Sequence, residues 1–144
     1  MNKKEFYNSH SFDEILAGII CNYPKNKISF KKDYALIHKT FFDLKKKYDI
    51  LDFLVFDLSS NFPRSEAIDR GFCYLQNEGF LLVNNHSKEP VYIFKLEIIP
   101  YFNYYLRKKF TYQQLENLIY LSLDVQKILQ PLTIPKNNKN AKKA

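Results

Sequence analysis

The chain has 144 residues, of which 46% are hydrophobic and 17% aromatic, and its formal net charge is +7. This length fits one domain, and the apolar content argues against global disorder. No run approaches the roughly 18 consecutive apolar residues that span a bilayer, and the N-terminus has no apolar stretch of signal-peptide length, so we expect a cytoplasmic protein without a membrane partner.

The first predicted helix begins after Ser11 and ends before Pro24. Ser11 and Glu14 have the spacing of a capping box, in which each side chain bonds a backbone N–H at the helix start. Apolar residues then recur at helical intervals as far as Ile20. Residues 27–30 are short and contain a β-branched residue, which predicts an edge strand.

A longer helix is predicted from residue 31 to about residue 48. Its apolar residues repeat at steps of three and four, which predicts one packed side. Lysines fall largely on the other faces: Lys31, Lys32, Lys39, Lys45, Lys46 and Lys47. We therefore expect this helix to present a basic face. The segment that follows, residues 49–63, fits a short helix or a strand, of which the short helix is favoured.

A third helix is predicted from about Pro63 to Glu78. Polar residues followed by Pro63 have the cap-then-proline order of a helix start, and Gly79 has the position of a left-handed helix end. Residues 80–83 and 91–98 are rich in apolar, β-branched and aromatic residues and flank a turn-rich loop. They are predicted to pair as a hairpin.

The C-terminal part begins with the aromatic-rich segment 101–110. Thr111 and Gln114 again have capping-box spacing, and an apolar helix is predicted from there to about Gln130. This helix is apolar over more than one face, which indicates either a surface for a second copy or partner, or burial against the first helix. Residues 131–144 are rich in Pro, Asn and Lys and are predicted to be a disordered basic tail.

The order of these elements resembles the winged helix-turn-helix superfamily. The resemblance covers about residues 12–96 and is carried by SEAIDRGFCYLQNEGFLLVNN, residues 65–85, followed by VYIFKL, residues 91–96. A helix, a terminal glycine and two wing strands stand there in the family's order. The resemblance implies an α+β fold, in which residues 1–130 form one winged-helix-like domain with a short β-hairpin wing and an additional C-terminal helix at about 111–130.

The resemblance also implies a nucleic-acid interface, since DNA-binding members use the third helix in the major groove and the wing on phosphates or the minor groove. The side chains on the third helix that can bond base edges are Arg64, Arg70, Gln76 and Asn77. Glu66 and Asp69 cancel the charge of this face and oppose phosphate. The wing loop contributes one cation, Lys88, beside Glu89.

The positive charge of the chain lies mostly outside that helix. Residues 1–50 carry 10 lysines and 6 acidic residues (+4), residues 51–100 carry 4 basic and 7 acidic residues (−3), and residues 101–144 carry 8 and 2 (+6). Clustered lysines bind phosphate by releasing counterions and need no fixed geometry. Further candidate phosphate contacts are therefore Lys31, Lys32, Lys45, Lys46, Lys47, Arg107, Lys108 and Lys109. The alternative is that these residues only keep the protein soluble.

Residue types with catalytic or metal-binding chemistry are sparse. Cys21 and Cys73 each stand alone in an apolar pattern, which predicts buried thiols in a reducing compartment. His10, His38 and His86 are far apart and have no partner at metal-ligand spacing. The three glycines lie singly, so no phosphate-cradling loop is present. We expect no metal, no cofactor and no enzymatic activity.

The sequence therefore predicts a non-enzymatic, winged-helix-like protein that associates with nucleic acid, such as double-stranded DNA, in a regulatory or accessory role. The alternative is a winged helix that acts in protein contact, as a subunit or adaptor of a larger assembly, with the C-terminal helix as the surface for a homodimer or another protein. The aromatic residues at 101–105 beside three basic residues allow stacking on single-stranded bases, or a hydrophobic core or dimer contact.

Overall fold

The computed structural model describes residues 10–25, 28–86 and 88–131. Over these ranges the chain has the predicted α+β class, with five α-helices and one antiparallel sheet. The helices are α1 (Phe12–Cys21), α2 (Tyr34–Leu44), α3 (Glu66–Asn77), α4 (Ile98–Tyr101) and α5 (Tyr112–Leu129). The strands are β1 (Ser29–Lys31), β2 (Leu81–Asn84) and β3 (Val91–Phe94). None of the described helices combines the length and the apolar character needed to cross a membrane.

The core is built around α1, whose residues from Ile15 to Ile20 are all buried. A helix with so narrow a polar face belongs in the interior, and α1 contacts α3, α4 and α5. Two glycines permit the close approach of these helices. A Cβ added at Gly18 would lie 2.7 Å from Cδ1 of Leu118 in α5, and one at Gly71 of α3 would lie 2.6 Å from Cδ2 of Phe12.

The sheet has the strand order β1-β3-β2, so the strand nearest the N-terminus lies at one edge. β2 and β3 form the predicted hairpin, with Leu81 opposite Phe94 and Asn84 opposite Val91. Gly79 has a φ of 83°, which confirms the predicted left-handed end of the third helix. The last strand is shorter than predicted, because β3 ends at Phe94.

The predicted basic helix from residue 31 begins later in the structure. The Asp33 side chain caps α2 by accepting a hydrogen bond from the Leu36 N–H at 3.1 Å, so the helix starts at Tyr34. Lys31 is the last residue of β1, and Lys32 follows it in the connection. Of the other lysines of the predicted face, Lys39 lies within α2 and pairs with Asp43 at 2.9 Å, whereas Lys45, Lys46 and Lys47 come after the helix has ended. The prediction of a single basic face over 31–47 is therefore wrong.

The third helix also starts later than its proline suggested. Ser65 is the N-cap and Glu66 the first helical residue, so Pro63 lies outside α3. Asp57 and Arg64 exchange backbone hydrogen bonds of 2.8 and 3.1 Å, which hold the residues before Ser65 in extended conformation. The short helix predicted in the preceding segment is confirmed as a 3₁₀ turn at Asp49–Leu51.

The two predicted capping boxes have different outcomes. At α5, the Thr111 hydroxyl accepts from the Gln114 N–H at 3.1 Å and the Gln114 side chain accepts from the Thr111 N–H at 2.9 Å, which confirms the box. At α1, Ser11 is the N-cap residue but its side chain makes no capping bond. Glu14 instead forms an ion pair with Lys109 at 2.7 Å.

The aromatic-rich segment between α4 and α5 forms a π-helical turn, Phe102–Leu106, and then a 3₁₀ turn, Arg107–Lys109. Phe102 is 1% exposed and belongs to the core, whereas Tyr104 and Tyr105 are 76% and 58% exposed. The segment therefore combines a core residue with exposed rings. Of the predicted basic tail, residues 132–144 lie outside the described residues.

The apolar residues of α5 divide between a face packed on α1 and exposed positions. One face packs on α1, where the Ser122 hydroxyl donates to the Ile19 carbonyl at 2.9 Å. The buried apolar side chains of this face are Leu118, Leu121, Val125 and Leu129. Other apolar side chains of α5 stay exposed, so burial against α1 accounts for only part of the pattern.

The predicted burial is wrong for Cys73 and holds in part for Cys21, which packs against the core. Cys73 is exposed and Cys21 half-buried, and both thiols are free. α3 buries Ile68, Phe72 and Leu75, and the residue directly after Phe72 on a helix turns away from that face.

We expect Gly71→Ala to destabilise the protein by about 1–3 kcal/mol, because the added methyl group would clash between two packed helices. The new Cβ would also lie 3.1 Å from the Asp13 backbone nitrogen, which cannot move without shifting α1. Urea unfolding followed by circular dichroism measures the change. Cys73→Ala on the exposed face of α3 is the matched control and should stay within about 0.5 kcal/mol of the parent.

Candidate nucleic-acid interface

The polar chemistry of α3 is concentrated on one carboxylate, that of Asp69. Asp69 accepts hydrogen bonds from Tyr34 Oη at 2.8 Å and from Arg64 Nη2 at 3.1 Å on one oxygen. His38 Nε2 lies 3.0 Å from the other oxygen. We call these four residues the Asp69 network. It joins α2, which carries Tyr34 and His38, to α3 and the residue before its N-cap.

His38 is the buried member of the Asp69 network, with 1% exposure. Its Nδ1 accepts the Ser65 N–H at 3.0 Å, so the ring proton of the neutral form is assigned to Nε2, which donates to Asp69. Burial lowers the pKa of His38, against the opposing charge of Asp69. Both ring nitrogens are thus occupied in holding α2 against the start of α3.

Arg64 is the member that sequence reasoning assigned to base contacts. Its Nε donates to Tyr34 Oη at 2.9 Å while its Nη2 donates to Asp69. The side chain is 45% exposed, but its donors already serve an ion pair and a phenol. Contact with a base edge would require Arg64 to give up these bonds.

The other three predicted base contacts share the outer surface of α3 and are exposed. Arg70 lies 3.8 Å from Glu66, a long and solvent-exposed pair of little energy. Asn77 donates to the Cys73 sulfur at 3.6 Å. Gln76 lines a small cavity of about 180 Å³. These groups are accessible, but the face has no net charge because Glu66 and Asp69 offset the two arginines.

The small cavity beside Gln76 also brings together three residues with potential catalytic chemistry. His38, Asp69 and Cys73 all line it. A cysteine nucleophile needs a nearby base with an available nitrogen. His38 offers none to Cys73, because Ser65 and Asp69 take both nitrogens.

The basic residues divide into three groups, of which one lies at the hairpin end of the sheet. Lys31 pairs with Val91 at the start of β3, and the Lys32 N–H donates to the Pro90 carbonyl at 2.9 Å. Lys88 stands two residues before Pro90 in the hairpin loop and is exposed. We call Lys31, Lys32 and Lys88 the hairpin-end lysines.

A second group, at the far end of α2, is largely engaged in the fold. Lys45 Nζ donates to the Leu54 carbonyl at 2.7 Å, and Lys47 pairs with Asp124 of α5 at 2.9 Å. The hydrogen bonds from Tyr48 and Lys47 outweigh burial and lower the pKa of Asp124. Lys46 lies over the Phe42 ring at 5.5 Å. The 11 residues of α2 separate this group from the hairpin-end lysines by about 16 Å.

The third group precedes α5. Arg107 donates twice to the Asn103 side chain, at 3.0 and 2.8 Å, and lies over the Phe102 ring. Lys109 pairs with Glu14, whose pKa is lowered to about 2, first by the hydrogen bond from His10 and also by Lys109. Lys108 is exposed. This group anchors the 3₁₀ turn against α1.

The Asp69 network was not recognised from the sequence. Asp69 was identified only as a charge that opposes phosphate, and His38 only as an isolated histidine. The partners lie 31 residues apart for His38 and 35 for Tyr34, so no local spacing connects them. The helical period of α3 places Asp69 beside its buried stripe, which is the only local indication of a partner.

Neither a metal centre nor a known relative identifies the interface. Among the described residues, no group of three or more His, Cys, Asp or Glu side chains could hold a metal ion. No protein-family model matches the chain, and searches of curated proteins and of solved structures found no match. Function is therefore inferred from the geometry of the interface itself.

We expect Asp69→Ala to lower the free energy of unfolding by about 1–3 kcal/mol, because the donors of buried His38 and of Arg64 lose their acceptor. Glu66→Ala, which removes the neighbouring exposed carboxylate of α3, is the matched control and should change stability by less than about 0.5 kcal/mol. Urea titration measures both. Equal effects of the two substitutions would contradict the structural role of the Asp69 network.

The lowered pKa of His38 gives the stability a defined pH dependence. The unfolded chain takes up this proton near the ordinary value of 6.5, before the folded protein does. The contribution of neutral His38 is therefore complete above pH 6.5 and is lost as the pH falls below it. Urea unfolding between pH 5 and pH 7.5 should show stability decreasing toward the acid side. His38→Gln should reduce this slope, and an unchanged slope would contradict the assignment.

Proposed function

We propose that the protein is a non-enzymatic, cytoplasmic, winged-helix-like protein that binds nucleic acid in a regulatory or accessory role, through phosphate contacts of the hairpin-end lysines. The observation that carries the proposal is the sheet register, which brings Lys31 of the edge strand, and Lys32 directly after it, beside the hairpin loop that carries Lys88. Three cations from two distant parts of the chain thus meet at one end of the sheet.

The winged-helix part of the proposal is supported by connectivity. α1, β1, α2, α3, β2 and β3 follow one another along the chain, and the last two strands form a hairpin. β1 pairs with β3 and not with β2. This is the order that the sequence resemblance led us to expect, although the loop between α2 and α3 is long.

The phosphate part of the proposal rests on the accessibility of the cations: Lys32 and Lys88 are exposed, and Lys31 is half-buried. In the other two basic groups, Lys45, Lys47 and Lys109 bond acceptors within the protein at 2.7 to 2.9 Å. The hairpin end also contains acidic Asp33 and Glu89, so its net charge is small. We therefore expect weak, salt-sensitive binding with little sequence preference, as phosphate contacts give.

Direct base reading by α3 has less support. Arg64 would have to leave Tyr34 and Asp69, and the carboxylates of Asp69 and Glu66 would approach phosphates. Both steps cost free energy before any base contact forms. In this proposal α3 is scaffold that supports the hairpin.

The alternative function, a protein-contact module in a larger assembly, is favoured by a different observation. Four large apolar or aromatic side chains form an exposed stripe along α5, which we call the α5 stripe: Tyr112, Ile119, Tyr120 and Leu123. Their exposures are 93%, 47%, 55% and 48%. Large apolar side chains exposed along one helix are typical of an interface.

The proposal predicts that removing the hairpin-end lysines weakens binding to a short DNA duplex of mixed sequence. Replacing Lys31, Lys32 and Lys88 by glutamine should raise the Kd by about tenfold or more at low salt. It should also flatten the salt dependence, by about 0.9 in log–log slope for each phosphate that the variant no longer neutralises. Fluorescence anisotropy across a salt series measures both.

The matched control removes the same charge elsewhere. Replacing Lys46, Lys95 and Lys108 by glutamine takes three exposed cations from other parts of the surface and should leave most of the affinity intact. Arg64→Ala with Arg70→Ala should not change sequence preference. Equal weakening by both lysine triples would move the phosphate contact away from the hairpin end, and absence of binding at low salt would contradict the proposed function.

A further inference from the structure

Two charged residues, Glu116 and Lys127, share the side of α5 that carries the α5 stripe. At about 100° per residue, Tyr112, Glu116, Ile119, Leu123 and Lys127 follow one another along the same side of the helix. The opposite side is the one that packs on α1. Glu116 and Lys127 are exposed. The stripe thus has an apolar centre, an acidic position toward its N-terminal end and a basic position toward its C-terminal end.

We propose that the α5 stripe binds a second copy of the same chain, with the two α5 helices antiparallel about a twofold axis. The inference specifies the partner in the protein-contact function and does not depend on the phosphate contacts of the hairpin end. The twofold axis passes between residues 121 and 122. An isologous contact requires one surface to be complementary to itself, and the positions along α5 meet that requirement.

The positions of the two charged residues favour a second copy of the chain as the partner and an antiparallel orientation of the two helices. Glu116 and Lys127 lie at equal distances from the axis, each about 8 Å along the helix at 1.5 Å per residue. In the antiparallel dimer Glu116 of each copy therefore faces Lys127 of the other, twice. A parallel dimer would place like charges opposite each other, which opposes association.

The apolar centre is arranged with the same symmetry. Tyr120 and Leu123 lie on the two sides of the axis at the same distance, about 2 Å along the helix, so each faces the other residue in the second copy. Both are about half exposed and can lose that exposure without repacking the monomer. The contact would bury their apolar surface, which is the main driving force of association.

A groove beside the stripe extends the surface available to the second copy. It has a volume of about 620 Å³ and lies between the π-helical turn and α5. Tyr112, Glu116 and Ile119 line it together with Phe102 and Leu118, so the groove and the stripe share a border. A helix alone offers a narrow contact, and the adjoining apolar groove widens it toward the area that stable dimers bury.

Charge reversal tests the antiparallel arrangement on the full chain. Sedimentation velocity over a concentration series should show a monomer–dimer equilibrium for the parent protein. Glu116→Lys or Lys127→Glu alone creates two like-charge contacts and should weaken the dimer by about tenfold or more. The double variant Glu116→Lys/Lys127→Glu restores both opposite-charge contacts and should return the dimer constant to within about threefold of the parent.

A second pair of variants separates the interface from general surface effects. Leu123→Glu places a charge at the centre of the contact and should give a monomer. Val55→Glu is the matched control, because Val55 is 79% exposed in a loop outside the stripe, and it should leave the dimer unchanged. Thermal unfolding by circular dichroism checks that both variants fold, which is expected because both side chains face solvent.

The inference is overturned by a monomeric parent protein, by a Leu123→Glu variant that dimerises like the parent, or by a charge-reversed double variant as weak as the single ones. These outcomes differ from failure of the nucleic-acid function. The Leu123→Glu monomer retains the hairpin-end lysines, so salt-sensitive duplex binding by that monomer tests the phosphate contacts independently of dimerisation.

Discussion

The carboxylate of Asp69 is the contact on which the functional interpretation depends. It takes a bond from Tyr34, one from Arg64 and one from buried His38, and so joins α2 to α3 where the two helices meet. This carboxylate holds α3, the helix to which the winged-helix resemblance assigns base contacts. It also pairs with Arg64, one of the side chains predicted to make them. Asp69 and Arg64 therefore form their bonds within the protein.

The lysines likewise divide into those that bond groups within the protein and those that face solvent. Lys47 joins the end of α2 to α5, and Lys109 joins the turn before α5 to the first turn of α1. These contacts surround α1, whose burial requires the close approach of helices that Gly18 and Gly71 permit. A high net charge therefore does not by itself mark a binding face. The sheet register, which gathers cations that are distant in sequence, is a more specific indication.

Features set by local sequence were predictable, and features set by long-range contacts were not. Gly79 and the Thr111 cap depend on a few neighbouring residues, and both are as predicted. The length of α2 was misjudged although Asp33 supplied a local cap, because the helix was extended back to Lys31, whereas its apolar repeat begins at Tyr34. For Cys73, the period that buries Phe72 already places the next residue outside the core.

The candidate site was predictable as a set of residue types and not as an arrangement. The sequence identified Lys31, Lys32 and Lys88 as cations, but only the pairing of β1 with β3 shows that they share one end of the sheet. It identified Arg64 as a base contact, but the bond from Arg64 to Tyr34 spans 30 residues. Tertiary contacts of this kind decide whether a charged side chain faces a ligand or completes the fold.

The central claim is that nucleic acid meets the hairpin end and not the outer face of α3. Titrating a short duplex into the isotopically labelled protein, with backbone amide shifts recorded by NMR at low salt, tests it most directly. The account predicts the largest shift changes around Lys31, Lys32 and Lys88, with small changes along α3. Dominant changes at Arg70 and Asn77 would contradict it, as would a spectrum that does not respond to the duplex.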